Sequence, residues 1–375
     1  MKRSSINLYV AALIIAAVIF SFLTIYAFGE HPSGTFSVSA RSAVLYQPES
    51  EIFLYQKDAD TRLPMASTTK IMTALVAIES CELDQLVEID DSAIGTEGSS
   101  AYLRQGEVLT VEELLYALLL QSANDAAVAL ACHIGGDVES FASLMNDRAS
   151  EMKLTNTHFT NPHGLDNPEH YTSSRDLAIL AAEAIKNPIF KSIASTYKKT
   201  FATEERSRTY VNHNKLLNLY DGCIGVKTGF TKKSGRCLVG AAEKDGLTFI
   251  TVTLDAPSDW QDHEKMLDYG FETLEKISFA SAFDHVYKIP IIGGEKDSII
   301  VANPEGANII TERGDHTVGQ YIKLIRYGIA PISRGDQLGE IIYTIDGKEV
   351  TRVPLLATEN VKKKEKAKLF DFLFK

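Results

Sequence analysis

Three short strings, Ser67-Thr68-Thr69-Lys70, Ser122-Ala123-Asn124 and Lys227-Thr228-Gly229, fall in this order along the chain. Together they supply a nucleophile with a base one helical turn away, a polar hydroxyl-amide pair, and a cation and hydroxyl on a strand that can hold a carboxylate. Such a set performs acyl transfer through a covalent seryl ester. A fold that uses it must bring a helix start, a helix junction and a strand edge to one place. Each string is short: S-x-x-K arises by accident roughly once in a chain of this length, and K-T-G on the order of once in ten such chains. Ser150-Glu151-Met152-Lys153 and Ser195-Thr196-Tyr197-Lys198 also fit the first pattern, and Ser5-Ile6-Asn7 fits the second.

Context separates these matches. Pro64-Met65-Ala66 precedes Ser67, and the apolar run Ile71-Met72-Thr73-Ala74-Leu75-Val76-Ala77-Ile78 follows it, which reads as the start of a buried helix. Ser67 is thereby expected at a helix N-terminus, where unpaired N–H groups and the positive dipole end favour developing negative charge. Ser150 lies in a charged stretch, and Ser195 precedes the Lys198-Lys199 doublet, which reads as solvated.

On a helix Ser67 and Lys70 project from one face. A serine hydroxyl needs a nearby base, and a lysine can serve only if its ammonium is made acidic by burial or by a neighbouring positive charge. Lys227 supplies that charge if the third string folds against the first. Ser122 can relay a proton to a leaving amine, and Asn124 can hold both a substrate amide and Lys70. The plainer role for Ser122 is to cap the following helix, with Asp125 favouring its first turn. Lys227 and Thr228 can bind a terminal carboxylate by charge and hydroxyl, while Gly229 lets a substrate backbone approach. Against these stand a solvated Lys70 and an ordinary strand end at Lys227. The apolar run after Lys70 counts against the first.

The segment from Leu63 to Leu75 resembles, almost residue for residue, the nucleophile segment of the serine D-alanyl-D-alanine carboxypeptidases, the low-molecular-mass penicillin-binding proteins. Asn161-Pro162-His163-Gly164-Leu165, His170-Tyr171-Thr172-Ser173 and Val226-Lys227-Thr228-Gly229-Phe230-Thr231 are similar to three further blocks of that family. The resemblance covers about residues 36–357. It implies an α/β fold of the serine β-lactamase and transpeptidase kind, with helices on one antiparallel sheet. It also implies removal of the terminal D-alanine from peptidoglycan stem pentapeptides and acylation of Ser67 by β-lactams, with no cofactor or metal. Endopeptidase or transpeptidase activity on related cross-links is a close variant. The oxyanion hole would be the backbone N–H groups of Ser67 and Phe230, and Phe230 stands where relatives often carry His or Tyr.

Other functions are weighed on particular residues. A class A β-lactamase has S-D-N where this chain has Ala123, and takes its deacylating glutamate from E-x-x-L-N. Glu151-Met152-Lys153-Leu154-Thr155 comes close, but Thr155 stands in place of Asn, and the segment reads as a helix end. A wall-binding protein with a dead site would not need every polar residue of the three strings. His163 and His170 invite a Ser-His-Asp reading, yet neither accompanies a G-x-S-x-G segment, and the remaining histidines show no metal-ligand spacing.

The 375 residues suffice for two or three domains, and a net charge of −11 argues against a nucleic-acid partner. Residues 1–29 carry Lys2 and Arg3 before an apolar run from Leu8 to Phe28, so the bulk of the chain is expected outside the cytoplasm, cell-membrane associated or secreted. The segment has the length of a membrane anchor, while Ala27-Phe28-Gly29 offers the small residues of a cleavable signal. A catalytic domain is expected over 36–277, opening on a hairpin around Gln47-Pro48-Glu49-Ser50, helical from Ser67 to about Arg148 and closing on a helix from about His263 to Ile277. Short β-like runs punctuated by Gly and Pro then predict a small all-β domain over 278–357. The tail 358–375 joins six lysines to clustered aromatics. It reads either as a membrane-associating helix or as a frayed end. Cys223 and Cys237 flank Lys227 and could pair across strands, or all four cysteines stay free thiols.

Overall fold

The computed structural model describes residues 36–202 and 206–365. The leader thus lies outside the described residues, as does the end of the tail. The chain divides at Gly270/Phe271 into two compact units, the turn 245–247 being counted with the second.

The first unit is built on a five-stranded sheet in the order β2-β1-β9-β8-β7. Its strands are β1 (Ser42–Gln47), β2 (Ile52–Lys57), β7 (Cys223–Thr231), β8 (Gly235–Lys244) and β9 (Leu247–Leu254). β1 runs antiparallel to β2 and β9, and β7 antiparallel to β8, which leaves β7 as an edge strand. β1 is buried along its whole length, as expected of a strand covered on both faces. Between β2 and β7 the chain forms helices α1 (Lys70–Ser80), α2 (Val111–Leu120), α3 (Asn124–Gly135), α4 (Val138–Glu151), α5 (Ser174–Lys186), α6 (Pro188–Ala194) and α7 (Leu216–Leu219). α8 (Asp259–Thr273) follows β9.

α1 is buried at every residue from Lys70 to Ala77, because its sequence is apolar on all sides and can only sit in the interior. Several helices start where capping chemistry dictates. The Thr110 hydroxyl accepts from Glu113 N at the head of α2, Asp137 from Ser140 N before α4, and Ser173 from Asp176 N before α5. Inside the stretch that reads as helical, Leu86–Glu88 (β3) and Val108–Thr110 (β4) form a small hairpin, too short to show a period of two. A second hairpin joins β5 (Lys198–Ala202) to β6 (Ser207–Val211).

The closing helix is displaced from its expected span. It begins at Asp259 and ends at Thr273, because Leu274–Ala280 (β10) is drawn into antiparallel pairing with Ala307–Glu312 (β13). Tertiary pairing here overrides local helical pattern.

The second unit is all-β. Beside the β10–β13 pair it holds a six-stranded sheet in the order β14-β16-β17-β12-β11-β15. Ile289 of β11 (Val286–Ile292), Val301 of β12 (Ser298–Ala302), Ile341 and Tyr343 of β16 (Gln337–Ile345) and Leu355 of β17 (Lys348–Ala357) fill its core. β14 is Val318–Leu324, and β15 is Gly328–Ile329. Asp346 and Gly347 join β16 to β17 with φ of 52° and 76°, the left-handed pair that a two-residue hairpin needs. The described part of the tail differs from the helical expectation: it stays extended, with Val361 bridging to Ile332 and Lys363 to Gly294. Residues 366–375 lie outside the described residues.

All four cysteines are free. The register explains why Cys223 and Cys237 do not meet, since Cys223 faces Ala242 whereas Cys237 faces Gly229. Among the described residues no helix is long and apolar enough to cross a membrane.

Candidate active site

Ser67 sits in a 3-10 turn, Ala66–Thr69, that leads into α1, so the expected α-helical start is one tighter turn removed. The turn is held by its own hydroxyls: Thr68 Oγ1 donates to the Met65 carbonyl (2.7 Å) and Thr69 Oγ1 to the Ala66 carbonyl (2.8 Å). Lys70 is wholly buried, and its Nζ lies 3.0 Å from Ser67 Oγ. The same Nζ donates to Asn124 Oδ1 (2.6 Å) and to the His163 carbonyl (2.6 Å). Asn124 is oriented by its Nδ2, which donates to the Glu97 carbonyl.

These contacts limit the hydrogen bonding open to Lys70. Two of its three hydrogen-bonding directions end on oxygens that can only accept, so both must be N–H donations. The third faces the Ser67 hydroxyl, which can give or take a proton. A neutral Lys70 therefore presents its lone pair to Ser67 and to no other group. Burial, and then the charge of Lys227, push its pKa well below the ordinary lysine value, while Asp125 acts in the opposite sense.

The second string lies between α2 and α3. Ser122 is buried, with φ of 62°, in the left-handed region that a non-glycine residue rarely occupies. It does not cap α3: the N-cap position falls on Ala123, and no side chain caps the helix. Asp125 turns to a neighbouring loop, where its carboxylate accepts from Ala101 N (2.9 Å), Leu103 N (3.1 Å) and Ser100 Oγ (2.6 Å). The backbone N–H of Asn124 donates to the Ser99 carbonyl (2.7 Å), so this loop and the start of α3 fix each other.

The third string is on the edge strand β7, packed against the nucleophile turn. A Cβ at Gly229 would lie 3.0 Å from Ser67 N and 3.1 Å from Met65 O, so the close approach requires glycine. Lys227 is 1% exposed, and burial brings it down to about 7. Its Nζ donates to the Thr228 carbonyl (3.0 Å). Ser67, Ser122, Thr228, Gly229 and Phe230 all line one cleft of about 370 Å³. The structure thus gathers all eight residues singled out from the sequence, either on the cleft wall or directly behind it.

Sequence reading missed several contributors. His213, Lys215, Arg236 and Trp260 also line the cleft. Arg236 is held there by Asp259, with Nη2 2.8 Å from Oδ1, and stands over the Trp260 ring. The block Asn161–Leu165 supplies a main-chain acceptor rather than a side chain. Asn161 Oδ1 accepts from Gly164 N (2.7 Å), closing a turn that turns the His163 carbonyl toward Lys70. An Asn-Pro-x-Gly signature announces that turn, but not what its carbonyl touches.

The rival readings find no support in the geometry. The His163 ring accepts from Leu165 N (3.2 Å) and His170 meets Thr69, so neither ring is bonded to Ser67. Glu151 pairs with Arg148 (3.1 Å) in a surface group that includes Glu79, away from the lining of the cleft.

The sequence profile described as D-alanyl-D-alanine carboxypeptidase matches residues 28–258, and that of the penicillin-binding protein 5 C-terminal domain matches 274–363. The D-alanyl-D-alanine carboxypeptidase DacF of Bacillus subtilis is 34% identical over 336 residues, covering 86% of each chain. DacC of Escherichia coli is 31% identical, covering 87% of this chain and 85% of its own. Among solved structures, penicillin binding protein 5 from Haemophilus influenzae matches 88% of this chain and 99% of its own at 29% identity and a TM-score of 0.67. The Streptomyces K15 DD-transpeptidase matches 64% of this chain and 99% of its own at 36% identity and a TM-score of 0.61.

Proposed function

Because this chain belongs to the D-alanyl-D-alanine carboxypeptidase family of penicillin-binding proteins, we propose that it removes the terminal D-alanine from peptidoglycan stem pentapeptides through an acyl-enzyme on Ser67. The observation that carries this reading is the position of Lys70 Nζ: 3.0 Å from Ser67 Oγ, with both other directions filled by acceptors.

In this reading neutral Lys70 takes the hydroxyl proton as Ser67 Oγ attacks the carbonyl carbon of the penultimate D-alanine. The oxyanion is held by the N–H groups of Ser67 and Phe230. As the C–N bond breaks, the proton returns through Ser122 to the departing amine, and D-alanine leaves. Water then cleaves the ester, restoring the Ser67 hydroxyl and releasing the shortened peptide as a carboxylate. Asn124 holds Lys70 and the substrate amide, while Lys227 and Thr228 grip the terminal carboxylate with Gly229 leaving room for the backbone. β-Lactams acylate the same serine and leave it slowly.

The leader 1–29 places the catalytic unit outside the cytoplasm, as a retained anchor or a cleaved signal. The second unit serves as a pedestal or interaction surface, with the basic, aromatic end of the tail at the membrane.

The test is D-alanine release from a diacyl-L-Lys-D-Ala-D-Ala peptide, followed across pH. Lys227 must be charged to hold the carboxylate, and burial holds its pKa down at about 7. Because kcat/KM reports the free enzyme, it is expected to fall above about pH 7, roughly tenfold per pH unit. The acid side falls as Lys70 gains a proton. Failure to release D-alanine would overturn the reading in favour of a wall-binding protein with a dead site, and penicillin hydrolysis at many turnovers per second would overturn it in favour of a β-lactamase.

A further inference from the structure

We propose that His170 is a positioning residue for this reaction: through the Thr69 hydroxyl it aims the backbone N–H of Ser67 into the cleft, and so sets one donor of the oxyanion hole. The inference rests on the acyl-enzyme reading above.

Each step follows from donor and acceptor chemistry. The Thr160 backbone N–H can only donate, and it reaches His170 Nδ1 at 3.0 Å, so the ring hydrogen must sit on Nε2. Nε2–H donates to Thr69 Oγ1 (2.7 Å), and the Thr69 hydroxyl passes its own hydrogen to the Ala66 carbonyl (2.8 Å). That carbonyl and the Ser67 N–H belong to one planar trans peptide, in which they point in opposite directions. Fixing the oxygen therefore fixes the direction of the N–H. On the cleft side, Gly229 is the residue packed against Ser67 N.

The peptide needs such a hold. Ala66 has φ of 47°, in the left-handed region that disfavours a residue with a Cβ. Gly164 closes the other side: a Cβ there would lie 1.9 Å from Ala66 O and 2.9 Å from Thr69 Oγ1. His170 is 3% exposed, with its ring edge-on to Phe159 at 5.8 Å. Burial, with the charges of His158 and Lys70, holds it down at about 4, and the neighbouring His163 is likewise held neutral at about 3. The tautomer is thus kept across the whole range in which Lys227 titrates.

The experiment compares wild type with Thr69→Val, which keeps the shape and deletes the hydroxyl, Thr69→Ser, which restores it, and His170→Phe. Acylation by benzylpenicillin, kcat and KM on the tripeptide, and a melting curve are measured for each. Thr69→Val and His170→Phe are expected to acylate about 10- to 100-fold more slowly, less than the loss from deleting an oxyanion donor outright. The change falls in kcat rather than KM, and Thr69→Ser recovers most of the rate. A cooperatively melting Thr69→Val variant with wild-type acylation would overturn the inference, as would a Thr69→Ser variant as slow as Thr69→Val. If Thr69→Val does not melt cooperatively, His170→Phe decides by the same rate criterion. Ser67→Ala run alongside keeps the two readings apart. A penicillin adduct in that variant sinks Ser67 as the nucleophile, whereas its absence with an unimpaired Thr69→Val sinks only the relay.

Discussion

A Ser67→Ala variant is expected to form no covalent adduct with penicillin and to lose D-alanine release by a factor on the order of 10⁵ or more, while folding as wild type does. The loss is expected to be large because, among the described residues, Ser67 Oγ is the hydroxyl that Lys70 Nζ meets. Ser122 lines the same cleft, but the hydroxyl 3.0 Å from Lys70 Nζ, the proposed base, is that of Ser67. Removing the nucleophile of a unit that acts together costs about as much as removing the whole unit. The fold is spared for an equally local reason. Ser67 is partly exposed, and its Oγ contributes one contact, so its removal changes stability by no more than about 1 kcal/mol. Lys70 keeps its bonds to Asn124 and His163. Intact-protein mass spectrometry after penicillin treatment reads the adduct, and a melting curve reads the fold. A penicilloyl mass on the variant would remove Ser67 from the mechanism.

What the sequence discloses about this site is its side-chain chemistry, and what it conceals is its main-chain chemistry. Ser67, Lys70, Asn124 and Lys227 are legible because the proposed nucleophile, base, amide and cation each require a particular residue type. The acceptors that orient them, the carbonyls of His163 and Glu97, carry no such signature, since every residue has a carbonyl. The positive φ angles of Ala66, next to Ser67, and of Ser122 are also hidden, because neither residue is a glycine. Gly164 and Gly229 are visible as glycines, yet only the packing of separate segments shows why each must be one.

The fold divides in the same way. The β1–β2 hairpin and the buried α1 follow from turn residues and an unbroken apolar run. The β3–β4 hairpin and the early end of α8 depend on partners far along the chain. Arg236 and Trp260 reach the cleft for a related reason, since β8 sets Arg236 opposite Phe230 in register and α8 starts beside it. The capping alternative for Ser122 fails because the turn between α2 and α3 takes the Ser122 backbone out of cap geometry and leaves Ala123 at that position.

Lys70→Met is the second change with a large expected effect, and it separates the base from the charge around it. Methionine approximates the volume of the lysine stem but has no basic nitrogen, so Ser67 keeps its place and loses its proton acceptor. A positioned general base contributes about 10²–10⁴-fold, and acylation is expected to slow by the upper end of that range. Stability moves in two directions. The variant leaves Asn124 Oδ1 and the His163 carbonyl without their donor, at a cost of about 1–3 kcal/mol for each buried group. It also relieves wild type of a buried amine whose pKa is lowered by burial and by Lys227. A lysine whose folded pKa is lowered binds fewer protons in the fold than in the unfolded chain. Wild-type stability therefore falls as pH drops below the ordinary lysine range, and levels off beneath the folded value. The methionine variant lacks this contribution, so its deficit relative to wild type should be greatest at alkaline pH and shrink toward neutrality. Paired denaturation curves from about pH 10 to pH 6, with penicillin acylation rates at each pH, measure both effects. A variant that acylates within tenfold of wild type would show that Ser67 loses its proton elsewhere, and a deficit constant with pH would show that Lys70 is charged in the folded site.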